Sequence, residues 1–212
     1  MFTIIKDCSP YYITFTYEGL PEYIKLLQSI ANKSEFVVSN NKSVTAIQEI
    51  VPSYQTKEFY VKDEKDLSLV IDNNPVKRLL NLDKSAAFLT TLPGVKSPIH
   101  LDINGATNKP VQFRINYPIF VHDTNCITSW YSSDGIVPHE KISYIADPTL
   151  STPNRLESLC FSQEYAILFN TTIYHDWDNT TSTNDRTIIG MKADKNQYNT
   201  TYEDARKILF GI

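Results

Sequence analysis

Residues 99–103 read Ile-His-Leu-Asp-Ile, an alternation of apolar and polar side chains that predicts a β-strand with one polar face. In a strand, residues i and i+2 point to the same side, so His100 and Asp102 would project together. His175 follows about seventy residues later, far enough along the chain for a distant strand to return beside the first. Two imidazoles and one carboxylate form the set that binds one face of a non-haem Fe(II) and leaves the opposite face open. The sequence therefore predicts an iron site made of His100, Asp102 and His175.

From Ala86 onward the sequence pattern is typical of β-strands, because short apolar and β-branched runs are separated by Pro, Gly, Asn and Asp. About eight such runs at fairly regular spacing are typical of a sandwich or jelly roll. We therefore predict a mainly β fold with flanking helices, a double-stranded β-helix (jelly roll). The candidate strands are Ala86–Leu92, Pro98–Ile103, Val111–Phe120, Cys126–Tyr131, Lys141–Ile145, Leu156–Phe161, Tyr165–Phe169 and Arg186–Lys192.

The rest of the chain mixes strand and helix signals. Tyr11–Tyr17 is aromatic and β-branched, whereas Pro21–Ala31 and Asp63–Leu82 carry apolar residues at helical spacing, the second with a break at Pro75. Tyr202–Phe210, followed by Gly211, predicts a terminal helix with a glycine stop. We expect one domain over residues 1–212, with a mixed α/β N-terminal elaboration (1–85), a jelly-roll core (86–193) and a C-terminal helix (194–212).

Charge and cysteine content narrow the functional classes. The chain has 20 Lys and Arg against 24 Asp and Glu, a net charge of −4, and no basic block, so nucleic acid is an unlikely partner. Three cysteines without a CxxC spacing indicate neither a disulfide framework nor a zinc knuckle. No apolar run approaches the roughly 20 residues of a membrane-spanning helix, and no leader pattern is visible. These features predict a cytoplasmic protein without a membrane partner.

Five short motifs together resemble a known family. They are Pro93-Gly94, His100-Leu101-Asp102, Phe113-Arg114-Ile115-Asn116-Tyr117-Pro118-Ile119, Tyr174-His175 and Asp185-Arg186-Thr187. In this order they resemble the iron(II)- and 2-oxoglutarate-dependent dioxygenases, and within these the aspartyl/asparaginyl β-hydroxylase-like branch. The resemblance covers about half of the chain, from Leu89 to Met191.

The resemblance implies Fe(II) as the metal and two co-substrates, 2-oxoglutarate and dioxygen. Arg186 would bind the distal carboxylate of 2-oxoglutarate, for which a bidentate guanidinium is well suited. Arg114 and Asn116 would contact the carboxylate nearest the metal, although relatives often have a second histidine where this chain has Asn116. The implied activity is hydroxylation of an amino acid, a peptidyl side chain or another small substrate, with release of succinate and CO2.

Two other functions fit the same residues. A cupin-like jelly roll could bind a metal without oxygenase activity, and a non-enzymatic jelly-roll binding module could use His100 and Asp102 as a structural pair. Arg186 could also be a surface residue paired with Asp185. Among the aromatic residues, we expect Trp130 in the core, while Trp177 fits either the core or a pocket wall.

Overall fold

Strands hold more residues than helices in the part of the chain that the structure describes. The computed structural model describes residues 1–33, 47–51, 54, 56–61, 63–80, 82, 87–104, 109–192 and 200–212. Of the predicted core and terminal helix regions, residues 86, 105–108 and 193–199 lie outside this part. The strands are β1 (Phe2–Cys8), β2 (Tyr12–Tyr17), β3 (Thr56–Tyr60), β4 (Ala87–Thr91), β5 (Ile103–Asn104), β6 (Lys109–Pro110), β7 (Phe113–Phe120), β8 (Ile127–Tyr131), β9 (Arg155–Cys160), β10 (Ala166–Asn170), β11 (His175–Asp178) and β12 (Arg186–Lys192). The helices are α1 (Leu20–Lys33), α2 (Glu64–Asp72), α3 (Pro75–Leu80) and α4 (Tyr202–Phe210).

Two antiparallel sheets organise the molecule. The larger sheet has the order β1-β2-β10-β7-β12-β4-β3, and the smaller has the order β11-β8-β9. Strands from the first 85 residues occupy both ends of the larger sheet, since β2 pairs with β10 and β3 pairs with β4. The mainly β jelly roll predicted from the sequence is confirmed.

The helices cover one face of the larger sheet. Their apolar side chains form a core with the strand residues Phe113, Ile115 and Tyr117, all fully buried. Helix α1 presents six buried residues to this core because its apolar positions recur at helical spacing. In β7, alternation sends these three side chains to the helices and the intervening Arg114 and Asn116 to the opposite face. A period of two in the sequence thus separates the core from the functional face.

The smaller sheet packs on that opposite face through a second apolar cluster. Trp130 of β8 is 0 % exposed and stacks on Tyr12 of β2 with ring centroids 5.0 Å apart, which confirms it as a core residue. Phe169 and Ile167 of β10 complete this contact. Three layers result: helices, the larger sheet and the smaller sheet.

The helix boundaries follow the sequence signals. The side chain of Asp63 caps α2 by accepting a hydrogen bond from the Asp66 backbone N–H, and α3 starts at Pro75, where the break was predicted. Helix α4 opens with a capping box between Thr201 and Asp204 and ends at Gly211, whose φ of 73° suits glycine. None of the helices in the described ranges is both long and apolar enough to cross a membrane.

Candidate active site

A cavity with a volume of about 240 Å³ lies between the two sheets. Strands β4, β7, β10 and β12 of the larger sheet and β8 and β11 of the smaller sheet supply most of its wall. All six sequence-predicted site residues line it: His100, Asp102, Arg114, Asn116, His175 and Arg186. Residues that are up to 86 positions apart in the chain therefore meet in one space.

The segment that carries His100 is not the regular strand predicted for Pro98–Ile103. Instead, His100 forms isolated β-bridges with His175 on one side and with Ile145 on the other. The backbone of His100 exchanges two hydrogen bonds with that of His175, at 2.9 and 3.0 Å, while Leu101 N–H donates to Tyr144 O at 2.9 Å. The strand predicted for Lys141–Ile145 is also wrong, because this stretch forms turns and only single bridges. Regular pairing begins only at Ile103, in the two-residue β5.

The two histidines adopt the same local arrangement. Nδ1 of His100 lies 2.8 Å from the Pro98 carbonyl oxygen, and Nδ1 of His175 lies 2.8 Å from the Ile173 carbonyl oxygen. A carbonyl only accepts, so each Nδ1 carries a proton, and in the neutral ring Nε2 keeps a lone pair. Such backbone contacts fix the tautomer and ring orientation of metal-binding histidines. The imidazole centroids are 4.5 Å apart.

Asp102 completes the cluster. One ligating atom from each of His100, Asp102 and His175 lies within 4.8 Å of the others, and His100 Nε2 is 3.7 Å from Asp102 Oδ1. The other carboxylate oxygen, Oδ2, accepts a hydrogen bond from Arg114 Nε. Arg114 therefore holds one side of the carboxylate and leaves Oδ1 turned towards the histidines.

The local electrostatics favour a cation between these three side chains. Burial by itself raises the pKa of Asp102, but the Arg114 guanidinium and the two imidazoles outweigh it and hold that pKa well below its usual range. Burial, reinforced by His100, lowers the pKa of His175 to about 4. At neutral pH the cluster therefore offers an ionised carboxylate and an unprotonated His175. Metal ligands must be in these protonation states, so the donor set fits Fe(II).

Arg186 lies deeper in the same cavity and is only 4 % exposed. Its guanidinium carbon is 4.6 Å from the centre of the Phe161 ring, and Nη2 makes one long hydrogen bond of 3.5 Å to Thr91 Oγ1. In the described ranges, no group accepts a hydrogen bond from its buried Nε or Nη1. Asp185 is exposed, so the surface pairing with Asp185 does not describe this arginine. A buried guanidinium with open donors is a ready site for a carboxylate.

A glycine of β12, Gly190, lies against the side chains of Arg114 and Asn116. A Cβ added at Gly190 would lie 3.1 Å from Asn116 Oδ1 and 3.6 Å from Arg114 Nη1. Asn116 Oδ1 is itself buried without a partner in the part of the chain that the structure describes. Gly190 thus provides the room in which these two polar side chains reach the cavity.

Several lining residues were not found from the sequence. Thr91, Thr128 and Phe161 face the cavity beside Arg186, but single threonines and phenylalanines in β segments carry no distinguishing signal. Trp177, which the sequence left between core and pocket wall, is half-buried and lines the cavity. Its position could be read from β11, where it shares a strand face with His175.

A second polar cluster lies behind β11. Asp176, between His175 and Trp177, points away from the cavity and is fully buried. Its Oδ2 accepts a hydrogen bond from Tyr131 at 2.9 Å and lies 3.2 Å from Lys96 Nζ. Burial raises the pKa of Asp176, and Lys96 and Tyr131 oppose that effect. This cluster fastens the strand that carries His175.

Comparisons with protein-family models and with curated proteins find no match. Among solved structures, the chain is similar to the non-haem α-ketoglutarate-dependent carbocyclase SnoK from nogalamycin biosynthesis. The sequences are 12 % identical, the TM-score is 0.54, and the match covers 86 % of this chain and 79 % of that one. It is also similar to the non-haem α-ketoglutarate-dependent epimerase SnoN of the same biosynthesis, at 10 % identity and a TM-score of 0.53, over 86 % and 76 % of the two chains. At these identities the likeness establishes a shared jelly-roll fold, and it does not single out the aspartyl/asparaginyl β-hydroxylase-like branch.

Proposed function

We propose that this protein is an Fe(II)- and 2-oxoglutarate-dependent oxygenase that hydroxylates a small substrate. One observation carries the proposal: a His-Asp-His cluster shares one cavity with a buried arginine, two of whose donors have no acceptor in the part of the chain that the structure describes. A metal-binding jelly roll without this co-substrate has no need of a buried guanidinium held by a long hydrogen bond to Thr91, because desolvation of that charge costs several kcal/mol. A dicarboxylate that spans the cavity from metal to arginine accounts for both features. Within the superfamily, the motifs around Arg114 and Arg186 favour the aspartyl/asparaginyl β-hydroxylase-like branch.

In this proposal His100 and His175 hold the iron through Nε2, and Asp102 holds it through Oδ1. When bound, iron and 2-oxoglutarate supply the oxidising chemistry, in which dioxygen is consumed, one oxygen atom enters a substrate C–H bond, and 2-oxoglutarate leaves as succinate and CO2. Arg114 keeps the Asp102 carboxylate ionised and oriented. The backbone contacts of the two Nδ1 atoms keep both rings turned towards the metal.

Arg186 binds the distal carboxylate of 2-oxoglutarate through its guanidinium, of which Nε and Nη1 find no acceptor among the described residues. The ring of Phe161 lies against the guanidinium and, with Ile188 of the same strand as Arg186, keeps water from this end of the cavity. Exclusion of water strengthens each charge-assisted hydrogen bond there. Asn116 and Arg114 lie nearer the cluster and contact the carboxylate of 2-oxoglutarate next to the metal.

The test is anaerobic addition of Fe(II) and 2-oxoglutarate to the metal-free protein, followed by a search for the visible charge-transfer band of the iron chelate. We expect the band in the wild type, its loss in His100→Ala and a higher 2-oxoglutarate requirement in Arg186→Ala. His122→Ala, which alters an exposed histidine, serves as the matched control and should keep the band. Tight metal binding without a band would refute the oxygenase and favour a cupin-like metal protein.

A further inference from the structure

Six half-buried residues line the outer part of the cavity, and we refer to them as the rim. The set contains three aliphatic and three aromatic side chains: Ile47, Leu101, Ile103, Tyr54, Tyr144 and Trp177. None of them is an Asp, Glu, Lys, Arg or His side chain. The fully buried polar residues, by contrast, lie at the Arg186 end and beside the histidines.

The charged groups of the cavity already have partners under the proposed function, on which this inference rests. Apart from the two histidines, which face the metal position, the charged side chains among its described lining residues are Asp102, Arg114 and Arg186. Asp102 and Arg114 are joined by a hydrogen bond, and Asp102 also faces the metal position. Arg186 is taken by the co-substrate. In the described part of the lining, no cation or anion is left to pair with a charged group on a second substrate.

We propose that the second substrate is an uncharged, largely hydrocarbon molecule that packs against the rim. Moving an unpaired ammonium or carboxylate into such a site is unfavourable, because nothing there replaces the hydration that the charge loses. Burial of apolar surface is favourable instead, and aromatic side chains add ring-packing contacts. A free amino acid, with two charged groups to desolvate, is therefore a poor substrate, although amino acids rank among the substrates that the sequence suggests.

Trp177 connects the rim to the inner cavity. Its ring lies 6.0 Å from the Arg186 guanidinium on one side and 5.7 Å from the Tyr54 ring on the other. Its backbone is fixed by two hydrogen bonds with Ser97, one to the Ser97 hydroxyl and one from the Ser97 N–H, both 2.9 Å. The other tryptophan, Trp130, is fully buried in the core. Fluorescence changes on substrate binding should therefore come from Trp177.

The experiment compares four probes that share a phenyl group and a short chain but differ in charge: 3-phenylpropan-1-ol, 3-phenylpropanoate, 2-phenylethylammonium and L-phenylalanine. Each is titrated into Zn(II)-loaded protein at saturating 2-oxoglutarate, with tryptophan fluorescence and saturation-transfer NMR as readouts. We expect the neutral alcohol to bind at least tenfold more tightly than any charged probe. Trp177→Phe should remove the fluorescence change and keep the NMR signal.

A matched pair of variants tests the charge argument directly. Tyr144→Glu places a carboxylate in the rim, and Tyr144→Gln places a neutral group of the same size there. We expect 2-phenylethylammonium to bind Tyr144→Glu at least fivefold more tightly than Tyr144→Gln, with the alcohol weakened in both. Equal affinity of the ammonium probe for the two variants would mean that Tyr144 does not face the bound molecule, which would overturn the assignment of the rim.

The proposal is also overturned if L-phenylalanine or either ion binds the wild type as tightly as the alcohol, or if none of the four probes binds. Failure of the proposed function gives a different result, the absence of 2-oxoglutarate binding in a separate calorimetric titration. In that case the four probes are titrated into Arg186→Met, in which the free guanidinium no longer attracts anions. A preference for the alcohol there supports an apolar binding site independently of oxygenase activity.

Discussion

Replacing Arg186 by methionine should weaken 2-oxoglutarate binding and at the same time stabilise the ligand-free protein. Arg186 is 4 % exposed, and two of its nitrogens, Nε and Nη1, have no partner among the described residues. Each charge-assisted hydrogen bond to the co-substrate contributes about 1.5–3 kcal/mol. Loss of two such bonds amounts to about 3–6 kcal/mol, which raises the Kd for 2-oxoglutarate by roughly two to four orders of magnitude.

The stability effect has the opposite sign because the ligand-free protein holds a desolvated charge. Only a 3.5 Å hydrogen bond to Thr91 and the Phe161 ring at 4.6 Å offset the lost hydration. Methionine fills similar space without a charge, so we expect the free energy of unfolding to rise by about 1–3 kcal/mol. For a chain of this length, that increase corresponds to a Tm higher by roughly 2–12 °C.

Two measurements test both signs: calorimetric titration of 2-oxoglutarate into the Zn(II)-loaded protein, and thermal unfolding of the metal-free protein. Arg155→Met, at an exposed position of β9, is the matched control and should change neither quantity appreciably. A variant at Arg186 that unfolds at lower temperature and binds 2-oxoglutarate as the wild type does would refute the reasoning. Such a result would make Arg186 a structural residue.

Three further predictions concern the surroundings of the cluster. Burial lowers the pKa of His175 to about 4 in the folded chain, from 6.5 in the unfolded chain. Between about pH 6.5 and 4, the unfolded chain therefore binds a proton that the folded chain does not. The free energy of unfolding consequently falls as the pH drops through that range. His175→Gln should therefore flatten the pH dependence of urea unfolding of the metal-free protein by up to about 3 kcal/mol; an unchanged profile would contradict this. Gly190→Ala should crowd Asn116 Oδ1, lower the free energy of unfolding by about 1 kcal/mol and raise the Kd for 2-oxoglutarate. Adding Asn116→Ala to that variant should restore part of the lost stability. Lys96→Met should lower the Tm by a few degrees because it leaves the buried Asp176 without its cation. Adding Asp176→Asn should restore most of that loss. Equal losses of Tm in the single and double variants would argue against the pairing.

Most of the secondary structure was predictable because local signals and tertiary packing agree. Alternation of apolar and polar residues located β7, and the glycine at position 211 located the end of α4. The failure at Pro98–Ile103 has a physical cause. In that segment His100 exchanges two backbone hydrogen bonds with His175, whereas the next residue, Leu101, donates to Tyr144. The identity of neighbours distant in the chain is not encoded in local periodicity.

The site was predictable in part for the same reason. The sequence alone determined which residue types are available for a metal and a carboxylate, since only a few histidines, carboxylates and arginines fall in β-like surroundings. Local alternation also fixed that Arg114 and Asn116 share a strand face, opposite the residues that enter the core.

Only the tertiary structure decided how these groups act on one another. It joined Arg114 to Asp102, turned both imidazoles by contacts with the Pro98 and Ile173 carbonyls, and buried Arg186 among Thr91 and Phe161. These properties depend on distances and desolvation between segments far apart in the chain, and the energy of a charge depends on what surrounds it in space. The sequence by itself determined the chemical groups of the site, whereas the packing of the two sheets decided their protonation, their orientation and their open donors.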